Sequence, residues 1–303
     1  MHNRHTAGHL AALLTILIWG TTFISTKVLL ESFSPVEILF FRFTAGYLAL
    51  WAVRPRLPRF AGVRRELTFA AAGLCGVTLY FLLENIALTY TLASNVGVII
   101  AIAPFITAIL AHLLLRGERL HPLFFAGFAA SLAGIFLIGF NGSRLLHLNP
   151  LGDFLAVCAA AVWAVYSVLM KKIGEYGGDT VLCTRRIFFY GLLFMLPALP
   201  LMRFQFGWER FASLSNLGNI LYLGLGASAL CFVTWNWAVK IIGAVKTSVY
   251  IYLVPVVTVT ASALLLREKI TWIAMLGTLL TLAGLLLSER RRREKPAPAS
   301  NPE

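Results

Sequence analysis

The sequence predicts an all-α membrane protein: ten transmembrane helices forming two inverted five-helix repeats around a central cavity. Three observations predict it. The 303 residues are 59% hydrophobic and only 13% charged, about half the charged share of a soluble domain. The apolar residues fall in runs close to the ~20 residues that cross a bilayer. The second half of the chain also repeats the first.

The ten runs cover 8–30, 36–53, 67–89, 93–115, 122–140, 151–171, 180–201, 217–240, 244–266 and 271–288. Proline, glycine and charge punctuate them, as in RPRLPRF (54–60), RGERLHP (116–122) and NGSRLLHLNP (141–150). Two separations are thin: the segment around Thr91 and Ala93, and KIIGAVK (240–246). The first run is too long for a removed signal and no small-residue cleavage site ends it, so it reads as an uncleaved helix after a polar leader, residues 1–7. The remaining divisions are a first repeat (8–140), a connecting loop (141–150), a second repeat (151–288) and a basic tail (289–303).

Lysine and arginine set the orientation. With a cytoplasmic N-terminus, seventeen of them lie in cytoplasmic segments, including Arg54, Arg56, Arg59, Arg64, Arg65 and Arg290 to Arg293, and five lie outside: Arg144, Arg203, Arg210, Arg267 and Lys269. Both termini are therefore expected in the cytoplasm, as an even number of spans requires. Short loops and no organelle signal point to a cell inner membrane.

The same pattern excludes other classes. A net charge of +13 would suggest nucleic acid in a soluble chain, but here it sits in loops too short for a binding module. Cys75, Cys158, Cys183 and Cys231 lie in or beside apolar runs without a CxxC pair, so they read as packing residues. His2, His5 and His9 belong to a solvated leader rather than a metal site. There are no paired intramembrane carboxylates, no HExxH, no GxSxG and no P-loop. No enzyme activity, cofactor, metal or nucleic-acid partner is expected; the partners are the lipid bilayer and a small-molecule substrate.

The repeat is the most informative feature. Trp19, Lys27 and Glu31 recur at the same spacing as Trp163, Lys171 and Glu175, and Arg42 recurs as Arg186. Further along, at an offset of 151, Asn85, Ala87, Ala93 and Pro104 recur as Asn236, Ala238, Ala244 and Pro255, and LLLR (113–116) as LLLR (264–267). Leu132–Gly134 and Leu282–Gly284 share LAG. Five spans per unit is odd, so the second copy starts on the opposite face. Such inverted repeats are an architecture of secondary transporters, with the site near the midplane.

These features resemble the EamA family of the drug/metabolite transporter superfamily. The carrying residues are WG in IWGTTFISTK, LASNVG entering the fourth run, Pro104, Pro255, the LLLRGE and LLLRE ends, and the two LAG triplets. The resemblance spans nearly all of 8–288 and implies a ten-helix basket with a central cavity, exporting amino acids or related metabolites in many relatives. Ala164 departs from it where the first half has Gly20.

The candidate cavity residues are Trp19, Thr22, Tyr80, Glu84, Asn85, Trp163, Tyr166, Trp235, Asn236 and Tyr250. Thr15, Trp19, Thr22 and Thr26 make one polar stripe on an apolar helix, and such a stripe faces protein or water rather than lipid. Interhelical hydrogen bonds are the plainer reading of any single Thr or Ser. The candidate charge or coupling residues are Arg42, Glu84 and Arg186, because a charge within the bilayer is costly. Arg42 and Glu84 lie at similar depth and are expected to pair; Trp235 stands where a second Glu84 would be, which leaves Arg186 only Asp179 or Glu175 nearby. Pro104 and Pro255 each remove a helix hydrogen bond, freeing the carbonyls of Ile100 and Ile251, and read as paired hinges or static kinks. Lys27 and Lys246 read as snorkelling groups, and His112 as a helix-end histidine. Ala126, Ala130 and Gly134 recur every four residues, a close-packing stripe open to a homodimer.

Cations outnumber anions within the spans, which favours a substrate bearing a carboxylate. The expected function is a secondary transporter of amino acids or related carboxylates, working in efflux by alternating access. The alternatives are a carrier of sugars, nucleotide-linked metabolites or cationic drugs, and more remotely a channel or a scaffold that does not transport.

Overall fold

The computed structural model describes residues 2–56, 60, 62–91, 93–115, 122–139, 149–266 and 272–289. The readings on Arg59, Arg116, Arg119, Arg144, Arg267, Lys269 and the basic tail lie outside these residues.

The described residues are predominantly helical and contain no strand. In a lipid solvent every backbone N–H and C=O must bond internally, and a long apolar run does this as a helix. α1 (His2–Leu30), α2 (Pro35–Val53), α7 (Pro122–Gly139), α8 (Pro150–Glu175) and α15 (Trp272–Glu289) are continuous. α3 (Val63–Gly73) passes through a π-helical segment, Leu74–Leu79, into α4 (Tyr80–Tyr90). The fourth run is two helices, α5 (Ala93–Ile100) and α6 (Ala103–Leu114). α9 (Thr180–Met195) leads through the short α10 (Ala198–Leu201) and a 3₁₀ turn, Trp208–Ala212, to α11 (Leu214–Leu221). A second π-helical segment, Tyr222–Leu230, joins α11 to α12 (Cys231–Ile242). The ninth run is α13 (Ala244–Val249), a 3₁₀ turn (Tyr250–Leu253) and α14 (Val254–Leu266). Among the described residues, five stretches are long and apolar enough to cross a membrane: Arg4–Leu30, Pro35–Val53, Val63–Tyr90, Pro150–Glu175 and Leu214–Ile242.

Two expectations are corrected here. The polar leader is helical from His2 onward, because α1 is held by its neighbours. A side chain at Gly8 would touch Ile242 at 3.0 Å, and His9 Nδ1 lies 2.8 Å from the Tyr250 hydroxyl. The prolines do not kink continuous helices. Pro104 lies in the first turn of α6 and Pro255 is the second residue of α14, where a missing N–H costs nothing. The break between α12 and α13 falls at Gly243, whose φ of +92° suits glycine.

The helices pack in reciprocal sets. α1 lies on α12 as α8 lies on α4, and α14 lies on α1 as α6 lies on α8. α2 crosses the π segment of the second half and α9 that of the first. Glycines permit both crossings. A Cβ on Gly46 would stand 3.0 Å from the Gly224 carbonyl, and one on Gly73 2.7 Å from the Gly191 nitrogen. Among the described residues, α7 and α15 make the most extensive contact. There a Cβ on Gly127 would fall 2.5 Å from the Gly284 carbonyl, and one on Gly134 2.5 Å from the Gly277 carbonyl. Gly134 thus serves an interface within the chain, while Ala126 on the same helix is exposed.

Polar contacts gather at two ends. At one, Glu37 of α2 accepts from Ser34 N at 2.8 Å and Gln205 N at 2.9 Å. Arg210 also donates to it at 2.8 Å. At the other, Arg54 meets Asp179 at 3.1 Å, and Asp179 caps α9 by accepting from Val181 N at 2.8 Å. Arg185 donates there to the carbonyls of Arg54 and Arg56, and Lys240 donates to Gly178 O at 3.1 Å.

Candidate functional site

A cavity lies where α1, α2, α4, α8 and both broken helices converge. Its walls are Trp19, Thr22 and Phe23; Arg42; Tyr80, Phe81 and Glu84; Ile100; Trp163; and Ile251 and Val254. It encloses about 470 Å³ of atom-free space, open mouth included.

Each wall residue is placed by identifiable packing. Trp19 Nε1 donates to Ala227 O at 2.9 Å, and its ring meets Trp163 edge to face with centroids 5.2 Å apart. Tyr80 lies 4.7 Å from Trp163, centroid to centroid. Thr22 turns its hydroxyl back to Trp19 O at 2.7 Å. Ile100 ends α5 and Val254 begins α14, so both helix breaks open onto the cavity. Glu84 follows Tyr80 by one turn of α4, immediately beyond the π segment, a distortion often found at functional sites.

Arg42 and Glu84 do not form the expected ion pair. Arg42 is 2% exposed and Glu84 6%. The guanidinium donates from Nε to Ser228 Oγ at 3.0 Å and lies over the Phe81 ring, 4.4 Å from its centroid. Glu84 Oε2 is buried and has no hydrogen-bond partner among the described residues. Trp163 Nε1 is likewise buried and unpartnered. Phe81, one helical turn from Glu84 and in contact with Arg42, holds the guanidinium by a cation–π contact.

Arg186 finds a partner other than Asp179 or Glu175. It pairs with Glu66 of α3 at 3.3 Å and lies 4.9 Å from the Phe69 centroid. Tyr190 also donates to Glu66, at 2.8 Å. Arg186 thus belongs to the polar end that carries Asp179.

Five of the expected cavity residues line it: Trp19, Thr22, Tyr80, Glu84 and Trp163. The other five pack elsewhere. Tyr166 donates to Asn236 Oδ1 at 2.7 Å, and Asn236 Nδ2 donates to Thr184 Oγ1 at 3.0 Å. This buried relay ties α8, α12 and α9 together. Trp235 is fully buried, with its ring centroid 5.1 Å from Trp19 and 6.0 Å from Trp163, so it backs the tryptophan pair. Asn85 Nδ2 donates to Pro35 O at 3.2 Å, holding α4 to the start of α2. Tyr250 serves His9. The wall residues not anticipated are Phe23, Phe81, Ile100, Ile251 and Val254. A signal existed for Ile100 and Ile251, which lie four residues before the prolines.

Residues 6–140 and 150–290 each match the EamA-like transporter family. The chain belongs to this family. This EamA-like protein is 30% identical over 295 residues to an uncharacterized transporter of Archaeoglobus fulgidus, covering 94% of this chain and 98% of the relative. It is 30% identical over 298 residues to a protein of Streptantibioticus cattleyicolor named a probable terminal-alkyne amino-acid exporter, covering 96% of each. A protein of Escherichia coli named a probable amino-acid metabolite efflux pump is 25% identical over 288 residues, covering 91% of this chain and 93% of the relative. A solved crystal structure shares the fold with a TM-score of 0.72 at 20% identity, covering 94% of this chain and 96% of that one. The relatives are transporters and exporters, not enzymes. With its apolar helices, the EamA-like protein is a multi-pass membrane protein of a transporter family.

Proposed function

We propose that this EamA-like protein is a secondary transporter exporting amino acids or related carboxylates across the cell inner membrane by alternating access. The carrying observation is the cavity, in which Arg42 and Glu84 face one buried space without pairing. The relatives named as amino-acid exporters support the substrate class.

Ten spans in two inverted units, with both termini cytoplasmic, fit the reciprocal helix packing. They also fit the sorting of Arg54, Arg185 and Arg186 to one polar end. That end, cytoplasmic in this reading, carries the Arg54–Asp179 and Arg186–Glu66 pairs, which would seal it. Export requires this seal to open and the opposite end to close. Pro104 and Pro255 start half-helices beside the cavity, so a rocking motion there changes few backbone bonds.

The test is uptake of labelled amino acids into liposomes holding the purified protein, with and without an imposed proton gradient. Saturable uptake weakened in Trp163→Ala or lost in Glu84→Gln supports the reading, and a gradient dependence that disappears in Glu84→Gln assigns Glu84 the proton. Failure of every amino acid under every gradient overturns this substrate class and turns attention to sugars, nucleotide-linked metabolites and cationic drugs.

A further inference from the structure

We propose that the cavity recognises a free α-amino acid by both of its charges. Arg42 takes the carboxylate, Glu84 takes the ammonium, and the side chain lies against Trp19 and Trp163. This rests on the transporter reading of the same cavity and adds a rule of recognition to it.

Two opposite charges sharing one buried space would ordinarily meet. Here the protein holds them apart. Arg42 spends its Nε–H on Ser228 Oγ at 3.0 Å, and its face is occupied by the Phe81 ring at 4.4 Å. Among the described residues its two Nη nitrogens have no protein partner, which leaves the fork that suits a carboxylate bidentately. Among the described residues, Glu84 presents an Oε2 that is buried and has no hydrogen-bond partner. Burying an uncompensated charge is costly, and one ligand carrying both charges compensates both.

The alternatives fit less well. A simple carboxylate would satisfy Arg42 while adding a like charge near Glu84. A simple amine would satisfy Glu84 and add a like charge near Arg42. In an α-amino acid a single carbon carries both charges, and Arg42 lies over the aromatic ring one turn from Glu84 on α4. The walls beyond are aromatic and aliphatic, with Trp163 Nε1 as one spare donor. That favours an uncharged side chain.

The test measures binding of leucine, phenylalanine and threonine to the full chain in lipid nanodiscs. Each is compared with its amide, which keeps only the ammonium, and its N-acetyl derivative, which keeps only the carboxylate. The same compounds are run in liposome counterflow. The expected result is that both capped forms bind at least about tenfold more weakly than the parent and are not carried. In Glu84→Gln the N-acetyl derivative regains ground on the parent; in Arg42→Gln the amide does. Capped forms that bind and are carried as well as the parent overturn the two-charge rule while leaving transport standing. If no compound is bound or carried, both readings fall. Because the analogue series is run on the unaltered protein, a variant that misfolds does not spoil it.

Discussion

Trp19 and Trp163 occupy the same position in the two repeats and touch each other, edge to face, with ring centroids 5.2 Å apart. In the proposed inverted repeat, equivalent residues would meet only beside the axis relating the two copies, which would put this wall of the cavity where the halves join. Ser131 and Thr281 are a second such pair, with Ser131 Oγ donating to Thr281 O at 3.3 Å. Replacing Trp163 by Ala should weaken ligand binding by about 3- to 10-fold, since an aromatic pair contributes about 0.5–1.5 kcal/mol. Trp163→Phe should retain most of it. Calorimetric titration of the two variants checks this, and equal losses would count against a stacking role.

The α7–α15 contact has no room for a side chain. Gly127→Val and Gly134→Val each drive carbons onto a facing carbonyl already 2.5 Å from an added Cβ, and should destabilise by about 1–3 kcal/mol. Gly97 has nothing within 4 Å of its added Cβ. Gly97→Ala should therefore be neutral or stabilise by up to about 1 kcal/mol. Melting temperatures in one detergent, compared side by side, decide it.

The two ion pairs at the Asp179 end should differ in strength. The Arg54 and Asp179 side chains are 49% and 30% exposed, those of Arg186 and Glu66 only 11% and 12%. A double-mutant cycle on the first pair should give about 0.2–1 kcal/mol. The cycle on Arg186 and Glu66 should exceed it, because water screens that pair less. Raising salt should lower the first coupling more than the second.

Pro104→Ala and Pro255→Ala test the broken helices. Each gives back an N–H and allows α5 to join α6, or the 3₁₀ turn to join α14. If the breaks serve motion, maximal transport should fall more than binding affinity does. Loss of binding with unchanged turnover would instead assign the prolines to cavity shape.

Much of this was legible in the sequence, for physical reasons. Helices follow from apolar length, and the repeat exposed Trp19, Trp163 and the proline pair. Glu84 stood out because a carboxylate in an apolar run needs a reason. What escaped was partnership. Glu66 pairs with Arg186 from 120 residues away, and nothing periodic announces such a contact. Asn85, Tyr166, Trp235 and Asn236 carry the same residue types as the wall, but the packing of α12 against α1 and α8, and for Asn85 that of α4 against the start of α2, turned them to structural tasks. A proline in the middle of an apolar run is equally consistent with a bend and with a new first turn; here the new first turn occurs.

The two π-helical segments end at Leu79 and Leu230, which are 151 positions apart, the repeat's own offset. A π turn is an α turn holding one extra residue. The two segments end at matching positions but differ in length, 6 residues against 9. A one-residue deletion within Leu74–Leu79 should give a continuous α-helical phase while leaving the flanking helices folded. Glu84 would then turn by about 100°, away from the cavity wall it now forms.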